Sequence, residues 1–335
     1  MIMETNFNKK KSFVILMLIV FIIGGITGFC VHKNYKKINY FSRRDEIQLL
    51  TPYQGYGACH PKVVYIPNGL SGYKYWMAFT PYPKHNARFE NPCIAVSNDL
   101  VHWKSHPKSN NTILDDNSFE KNRKLYNSDT HLLYNSDSQK LECWWRYVDE
   151  VHNVITIFRR TSDDGIHWSS KEPMYSSSGK DKVDWISPAI VYDHGIYKIW
   201  YVNNKKIWYT EGSGLNNYST PKEIEIDYGN DLCPWHLDVE KTSNGYELIY
   251  VAYHNGAKNH YHMGLYYSIS EDGMKFTPSK KVLSERKGNY WDNSGIYRSC
   301  LLYIDGVYHI IYTGWDNHEN VGLGHVSGTD INELK

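Results

Sequence analysis

After residue 50, short apolar runs alternate with polar turns, and the same ordered group of runs recurs five times. Each group opens on a strand-like run, crosses a polar or Gly-containing turn, and continues into a second run crowded with aromatics. The opening runs are His60–Tyr65, Asp129–Tyr134, Ser187–Tyr192, His236–Lys241 and Arg298–Tyr303; their partners are Tyr73–Phe79, Leu141–Arg146, Ile196–Tyr201, Tyr246–Tyr250 and Val307–Tyr312. Runs of this length, rich in β-branched and aromatic residues and bounded by turn formers, predict strands. A second periodic mark, Ser-x-Asp-(Leu or Gly)-x-x-aromatic, stands at Ser97–Trp103, Ser162–Trp168 and Ser270–Phe276, with weaker counterparts near Thr210 and at Ser327–Leu334. Its Ser and Asp side chains suit a turn whose backbone they hydrogen-bond, with the aromatic folded back over the hairpin. A unit of roughly 40 to 60 residues and about four short strands is the mark of a β-propeller. Five units predict an all-β, five-bladed β-propeller.

The N-terminus follows another pattern. Ser12–Val31 carries no charge and is long enough to cross a bilayer as a helix. It lacks the shorter apolar core and small-residue site of a cleaved signal peptide. The expected organisation is a basic tail over 1–11, a transmembrane anchor over 12–32, a stalk over 33–50 and the propeller over 51–335. Basic residues flank both ends of the span, and their count slightly favours a cytoplasmic C-terminal domain. Long domains translocate against a modest bias, so the expectation is a single-pass cell-membrane protein with an extracellular propeller.

Composition narrows the function. With 29 Tyr and 11 Trp, the chain suits wide sheets packed face to face. A net charge of +1 without a basic block in the domain excludes a nucleic-acid surface, which needs clustered Lys and Arg. Cys59, Cys93, Cys143, Cys233 and Cys300 show no C-x-x-C spacing, so neither a zinc site nor a disulfide framework is indicated. No cofactor and no metal site is expected, because so few carboxylates and histidines are too little to argue one.

In a propeller the first strand of every blade lines the central channel. His60, Asp129, Ser187, His236 and Arg298 hold equivalent positions at the starts of those strands, with Asp238 two residues deeper on the same face as His236. Ionisable groups on a buried axis are costly unless something binds there. The expected partner is an oligo- or polysaccharide.

At these residues the chain resembles the five-bladed β-propeller glycosidases, a clan that includes glycoside hydrolase families 43, 62, 32 and 68 and, more distantly, the β-mannoside phosphorylases. The resemblance covers about residues 50 to 335. It implies a base Asp before Pro in blade one, a pKa-tuning Asp in an Asp-x-His stretch of blade two, and an acid Glu before x-Pro in blade three. Asp129-Thr130-His131 fits the second element, whereas His60-Pro61 and Ile186-Ser187-Pro188 carry His and Ile where the base and acid are implied.

Glycoside hydrolysis needs two carboxyl groups flanking the scissile bond. Asp129 and Asp238 are the expected pair, with Asp184 as a third candidate. His60 and His236 would bind or move protons, and Arg298 would hold an anionic group or orient Asp129. Glu142 would reach substrate or hold Arg146 as a structural pair. Trp185, Trp235, Trp291 and Tyr297, each just before an inner strand or at its start, would ring the entrance and stack on sugar. Ser187, Glu90 and Asn91 would hydrogen-bond hydroxyls. The expected function is cleavage of a glycosidic bond in a cell-surface or exported polysaccharide; the alternatives are a carbohydrate-binding pseudoenzyme with the same pocket, or a sugar transferase or phosphorylase.

Overall fold

The computed structural model describes residues 42–334 apart from 54, 56, 110, 111, 216, 258 and 259. The apolar segment read as an anchor lies outside the described residues. Among those described, no helix is long and apolar enough to cross a membrane.

The chain begins with β1 (Ser42–Ile47) and then builds five antiparallel sheets in order. The first blade holds β2 (Ala58–Leu70), β3 (Tyr73–Pro81) and β4 (Cys93–Ser97). The second holds β5 (Leu125–Asn135), β6 (Lys140–Asp149), β7 (Val154–Ser162) and β8 (Glu172–Ser178). The third holds β9 (Ile186–Asp193), β10 (Ile196–Asn203), β11 (Lys206–Gly212) and the two-residue β12 (Lys222–Glu223). The fourth holds β13 (Leu232–Thr242), β14 (Gly245–His254), β15 (Gly264–Ser270) and β16 (Lys280–Leu283). The last holds β17 (Gly295–Ile304), β18 (Val307–Trp315) and β19 (Val321–Gly328).

Every paired run read from the sequence is the first or second strand of a blade. The innermost strands form a closed ring, with β2 beside β5, β5 beside β9, β9 beside β13, β13 beside β17 and β17 beside β2. The apolar core lies between successive sheets. Trp200 and Val202 of the third blade, for example, pack with Leu237 and Tyr250 of the fourth. The first sheet has three strands instead of the expected four, and its edge is covered by the loop after β4, which makes isolated bridges at Lys104 and Ile113. The last sheet takes its fourth strand from the start of the domain: β1 pairs antiparallel with β19 from Ser42↔Gly328 to Ile47↔Leu323. Residues 42–47 are thus a blade strand and not stalk, and the propeller begins near residue 42. Nothing in this run repeats the aromatic strand pair, because it is a lone strand that borrows its partner from the other end of the chain.

The turn marks lock neighbouring blades. In the second blade Ser162 Oγ accepts from the amide of Gly165 at 2.8 Å, and Asp164 Oδ1 accepts from the amides of Ile166 and His167, both at 2.8 Å. Gly165 has φ +73°, and a Cβ there would stand 2.2 Å from the ring of Trp76 in the first blade. Both facts demand glycine. Gly165→Ala is expected to cost about 3 kcal/mol, combining left-handed strain with overpacking. Urea unfolding checks this, and an unchanged midpoint would show that Trp76 moves aside freely.

Candidate active site

All five innermost strands break register at the same height. The breaks fall between Cys59 and Lys62, Ser128 and His131, Ile186 and Ala189, Pro234 and His236, and Ile296 and Ser299. These are β-bulges, which bend a strand and re-aim a side chain. His60, Asp129 and Ser187 take φ of 52°, 51° and 52°, a left-handed conformation that His and Asp tolerate better than most residues. Pro61 and Pro188 sit inside the bulges, one of the few places a strand accepts proline.

The bulges bring His60, Asp129, His236 and Arg298 together, each at most 3 % exposed. Asp129 Oδ2 accepts from Arg146 Nη1 at 2.9 Å. Its Oδ1 faces His236 Nδ1 at 3.4 Å, Arg298 Nη1 at 3.8 Å and His60 Nε2 at 3.9 Å. Asp129 Oδ1, His60 Nε2 and both ring nitrogens of His236 are buried without a hydrogen-bond partner. One ligand atom from each of the three residues lies within 4.8 Å of the others, the one such group among the described residues. Two imidazoles and a carboxylate on one side of an open centre are a donor set for a divalent transition metal. His60 Nδ1 lies 2.9 Å from Thr80 Oγ1 and 3.4 Å from Glu90 Oε1, so protonation there turns the Nε2 lone pair toward Asp129.

Protonation states fit that role. Burial holds the His60 imidazole well below its ordinary pKa, against the pull of Asp129. Burial likewise lowers His236 to about 4. Burial opposes ionisation of Asp129, but the His236 imidazole that faces it at 3.4 Å and the Arg146 charge outweigh it and hold the carboxyl well below the usual range. Glu90 goes the other way: burial, then the Asp129 charge, raises it well above an ordinary glutamate. The centre therefore holds two neutral imidazoles, an ionised Asp129 and a protonated Glu90.

The histidines also set an acid limit on the fold. His60, His85, His131, His236, His260, His309 and His325 all have lowered pKa values, while Glu90, Glu240 and Glu247 are raised. Between the unfolded histidine pKa of 6.5 and the native value of about 4 for His236, the unfolded chain binds the extra protons, so stability falls as pH falls. The glutamates oppose this above their unfolded value and are outnumbered. The urea midpoint of the metal-free protein is expected to fall from pH 7 to pH 5; a flat or rising profile would contradict these burial states.

Above the centre stands an aromatic mouth of about 200 Å³ walled by Tyr82, His85, His260, Tyr261, Tyr297 and Trp315. Tyr297 joins it to the floor, its ring 4.2 Å from His236 and 5.5 Å from His60. Trp235 Nε1 donates to the Tyr297 hydroxyl at 3.1 Å, and the indole stacks on His260 at 4.2 Å.

Other sequence candidates have partners elsewhere. Asp238 Oδ2 accepts from Lys62 Nζ at 2.8 Å and from the Leu301 amide at 3.1 Å, tying the fourth blade to the first and last. Ser187 Oγ bonds the backbone of Leu237, linking the third and fourth blades. Asp184 pairs with Lys182 at 2.8 Å. Glu142 is buried among Arg159, Tyr197, Asn135 and Trp144; its ion pair is with Arg159, and Arg146 belongs to Asp129 instead. Trp185 is 1 % exposed and stacks between Tyr175 and Tyr201 in the core, away from any entrance. Asn91 braces the loop after β4 through Tyr53, Asp116 and Asn127. Trp291 stacks on Tyr312 and lines a neighbouring cleft. Sequence reasoning did not single out Thr80, Tyr82, His85, His260 or Trp315. They lie at or beyond the ends of second strands, and the repeat pattern carries no mark for that place.

No family model matches the chain. It is 25% identical over 295 residues to an A type blood N-acetyl-alpha-D-galactosamine deacetylase of Flavonifractor plautii, an alignment that takes in 74% of this chain and 38% of that protein. The chain thus spans well under half the length of that relative. Among solved structures, an N-acetylgalactosamine deacetylase from F. plautii in complex with blood group B trisaccharide superposes with a TM-score of 0.75 at 19% identity, over 87% of this chain and 96% of that one. A Penicillium chrysogenum alpha-L-arabinanase complexed with arabinobiose gives 0.56 at 15% identity, over 88% and 100% of the two chains. A thermostable family-43 glycoside hydrolase gives 0.57 at 15% identity, over 81% and 88%. The chain is a five-bladed β-propeller, a fold it shares with these deacetylase and glycoside hydrolase structures.

Proposed function

We propose that this propeller is a metal-assisted hydrolase that removes the acyl group from an N-acylated amino sugar in a glycan. The observation that carries the reading is the convergence of His60 Nε2, Asp129 Oδ1 and a His236 ring nitrogen, buried and unpartnered, in the protonation states a cation requires. The similarity to a protein named as an N-acetylgalactosamine deacetylase supports it.

A divalent cation held by His60, Asp129 and His236 would polarise the amide carbonyl and acidify water. The remaining steps belong to the chain. Arg146 and the facing His236 keep Asp129 ionised, and the aromatic mouth admits the sugar while limiting bulk water. Glu90 holds a proton that can pass to the leaving nitrogen. Water gives up one proton to solvent as its oxygen adds to the carbonyl carbon, the C–N bond breaks as the nitrogen takes the proton Glu90 gives, and the second water proton, left on the new carboxyl group, restores Glu90. The products are a carboxylate and a free amino sugar.

One observation favours a second reading, glycosidic cleavage: a protonated Glu90 close to an ionised Asp129 is an acid and base pair with pKa values pushed apart. Acetate release and new reducing ends separate the two. The full-length protein, stripped with chelator and reloaded with zinc, is expected to release acetate from N-acetylgalactosamine-terminated glycans only when reloaded. Reducing ends formed without metal would favour the glycosidase, and binding without either product would favour a pseudoenzyme.

We also propose that residues 12–32 anchor the protein with the propeller outside, on the strength of their uncharged length. Protease added to intact cells should release the domain; complete protection until lysis would reverse the orientation.

A further inference from the structure

We propose that the cleft beside the mouth, walled by Trp291, is a second subsite that takes the next sugar of the same glycan. The inference rests on the amino-sugar reading above and extends it from the reacting residue to its neighbour.

The cleft encloses about 310 Å³ on the same face of the propeller as the mouth, where β2 and β19 begin and where β3 ends. That is the low end of the size range of small-molecule pockets and gives room for about one sugar ring. A single short segment divides the two spaces: Tyr82 and His85 face the mouth, and the intervening Pro83 and Lys84 face the cleft. The opposite wall is shared in the same way. Trp315 lines the mouth, and Trp291 covers its neighbour Gly314. A glycan leaving the mouth over this ridge enters the cleft directly.

The cleft is shaped for a flat ring. Trp291 stacks on Tyr312 at 5.7 Å with 15° between the planes. A Cβ at Gly314 would come within 2.9 Å of the indole, so glycine at that position makes room for it, and a Cβ at Gly322 would just touch it at 3.5 Å. The indole Nε1 is buried without a partner. Lys84, held at φ 52°, is fixed over the rim by bonds from its ammonium to His318 O at 2.9 Å and Asn320 Oδ1 at 2.7 Å. Asn320, Glu46 and Gln48 add amide and carboxylate groups to the lining of the cleft. An aromatic surface edged by such groups suits a pyranose, whose C–H face is apolar and whose rim is hydroxyl-bearing.

Calorimetry with the full-length, zinc-loaded protein tests this, using N-acetylgalactosamine and an N-acetylgalactosamine-terminated trisaccharide as probes. Wild type is expected to bind the trisaccharide at least about tenfold more tightly than the monosaccharide. Trp291→Ala and Asn320→Ala should each erase most of that difference and leave monosaccharide affinity unchanged, while Trp291→Phe retains it. Asn320 is a rim residue, so its variant keeps the test open should Trp291→Ala fold poorly. A monosaccharide that binds as well as the trisaccharide, or a preference that survives in both alanine variants, overturns the subsite and leaves the deacylase reading standing. If neither sugar binds and no acetate is released from either, the deacylase reading falls and the subsite falls with it.

Discussion

Asp129→Asn is expected to lower turnover by at least about 10³-fold and cation affinity by more than about 100-fold, whichever bond the protein cleaves. The substitution keeps the side chain's shape and removes its charge. An amide can still accept from Arg146 at 2.9 Å, but it cannot serve as the anionic ligand facing His60 and His236. Asp238→Asn is the informative companion. The Asp238 carboxylate is engaged by Lys62 and the Leu301 amide, so its loss should appear first in the unfolding midpoint, with a smaller effect on chemistry. Equal losses of turnover in the two variants, with melting unchanged, would restore the Asp129 and Asp238 carboxylate pair. Zinc titration adds a pH signature. Because the native His236 pKa is about 4, cation affinity should hold down to about pH 5 and fall as His236 takes up its proton below that. A loss centred near 6.5 would mean that this imidazole is not buried as described.

Reading the ring of channel residues from sequence worked because the repeat is a period of strands, and equivalent positions in a propeller must face one axis. His60, Asp129, His236 and Arg298 followed from alignment of the repeats alone. Their chemistry did not. The bulges decide which atoms meet, and a bulge has only a faint mark in sequence, a proline such as Pro61 or Pro188 inside an innermost strand. Without them Asp129, His60 and His236 are separate polar residues on strands far apart in the chain, and no spacing rule gathers them into a ligand set. Trp185 shows the converse limit. It stands just ahead of the channel residue of its blade, as Trp235 does, yet it turns into the stack of Tyr175 and Tyr201 while Trp235 reaches Tyr297 at the mouth. Strand-start position gives height along the axis and leaves side-chain direction to local packing. Glu90 lies outside the aligned strand starts altogether. It enters the centre from the loop between β3 and β4, and its raised pKa is a property of burial next to Asp129 that only the assembled ring creates.

Arg44→Ala is expected to destabilise the domain by about 3 to 5 kcal/mol, a melting drop of roughly 10 °C, because it removes one partner of a buried charge network. Arg44 comes from β1, the strand that closes the ring, and its guanidinium reaches three places at once. Nη2 bonds Asp292 Oδ2 at 2.5 Å, Nε donates to the Tyr312 hydroxyl at 2.7 Å, and Nη1 donates to Ser284 O at 3.0 Å. Asp292 is fully buried and takes further bonds from Arg286 Nε and the Tyr312 hydroxyl, both at 2.8 Å. Deleting Arg44 strips one of two cations from a carboxylate that water does not reach and frees the strand whose pairing covers the edge of β19. The adjacent Arg43, whose partner Asp45 shares its exposed edge and whose side chain is 60 % exposed, is the control, and Arg43→Ala should cost no more than about 1 kcal/mol. The same argument sets where a soluble fragment must start. One begun at residue 51 lacks β1 and should melt lower and aggregate through β19, whereas one begun just before Ser42 should behave as the intact domain. Equal melting of the two fragments, together with an Arg44→Ala variant as stable as wild type, would mean that β1 lies along the last blade without holding the ring closed.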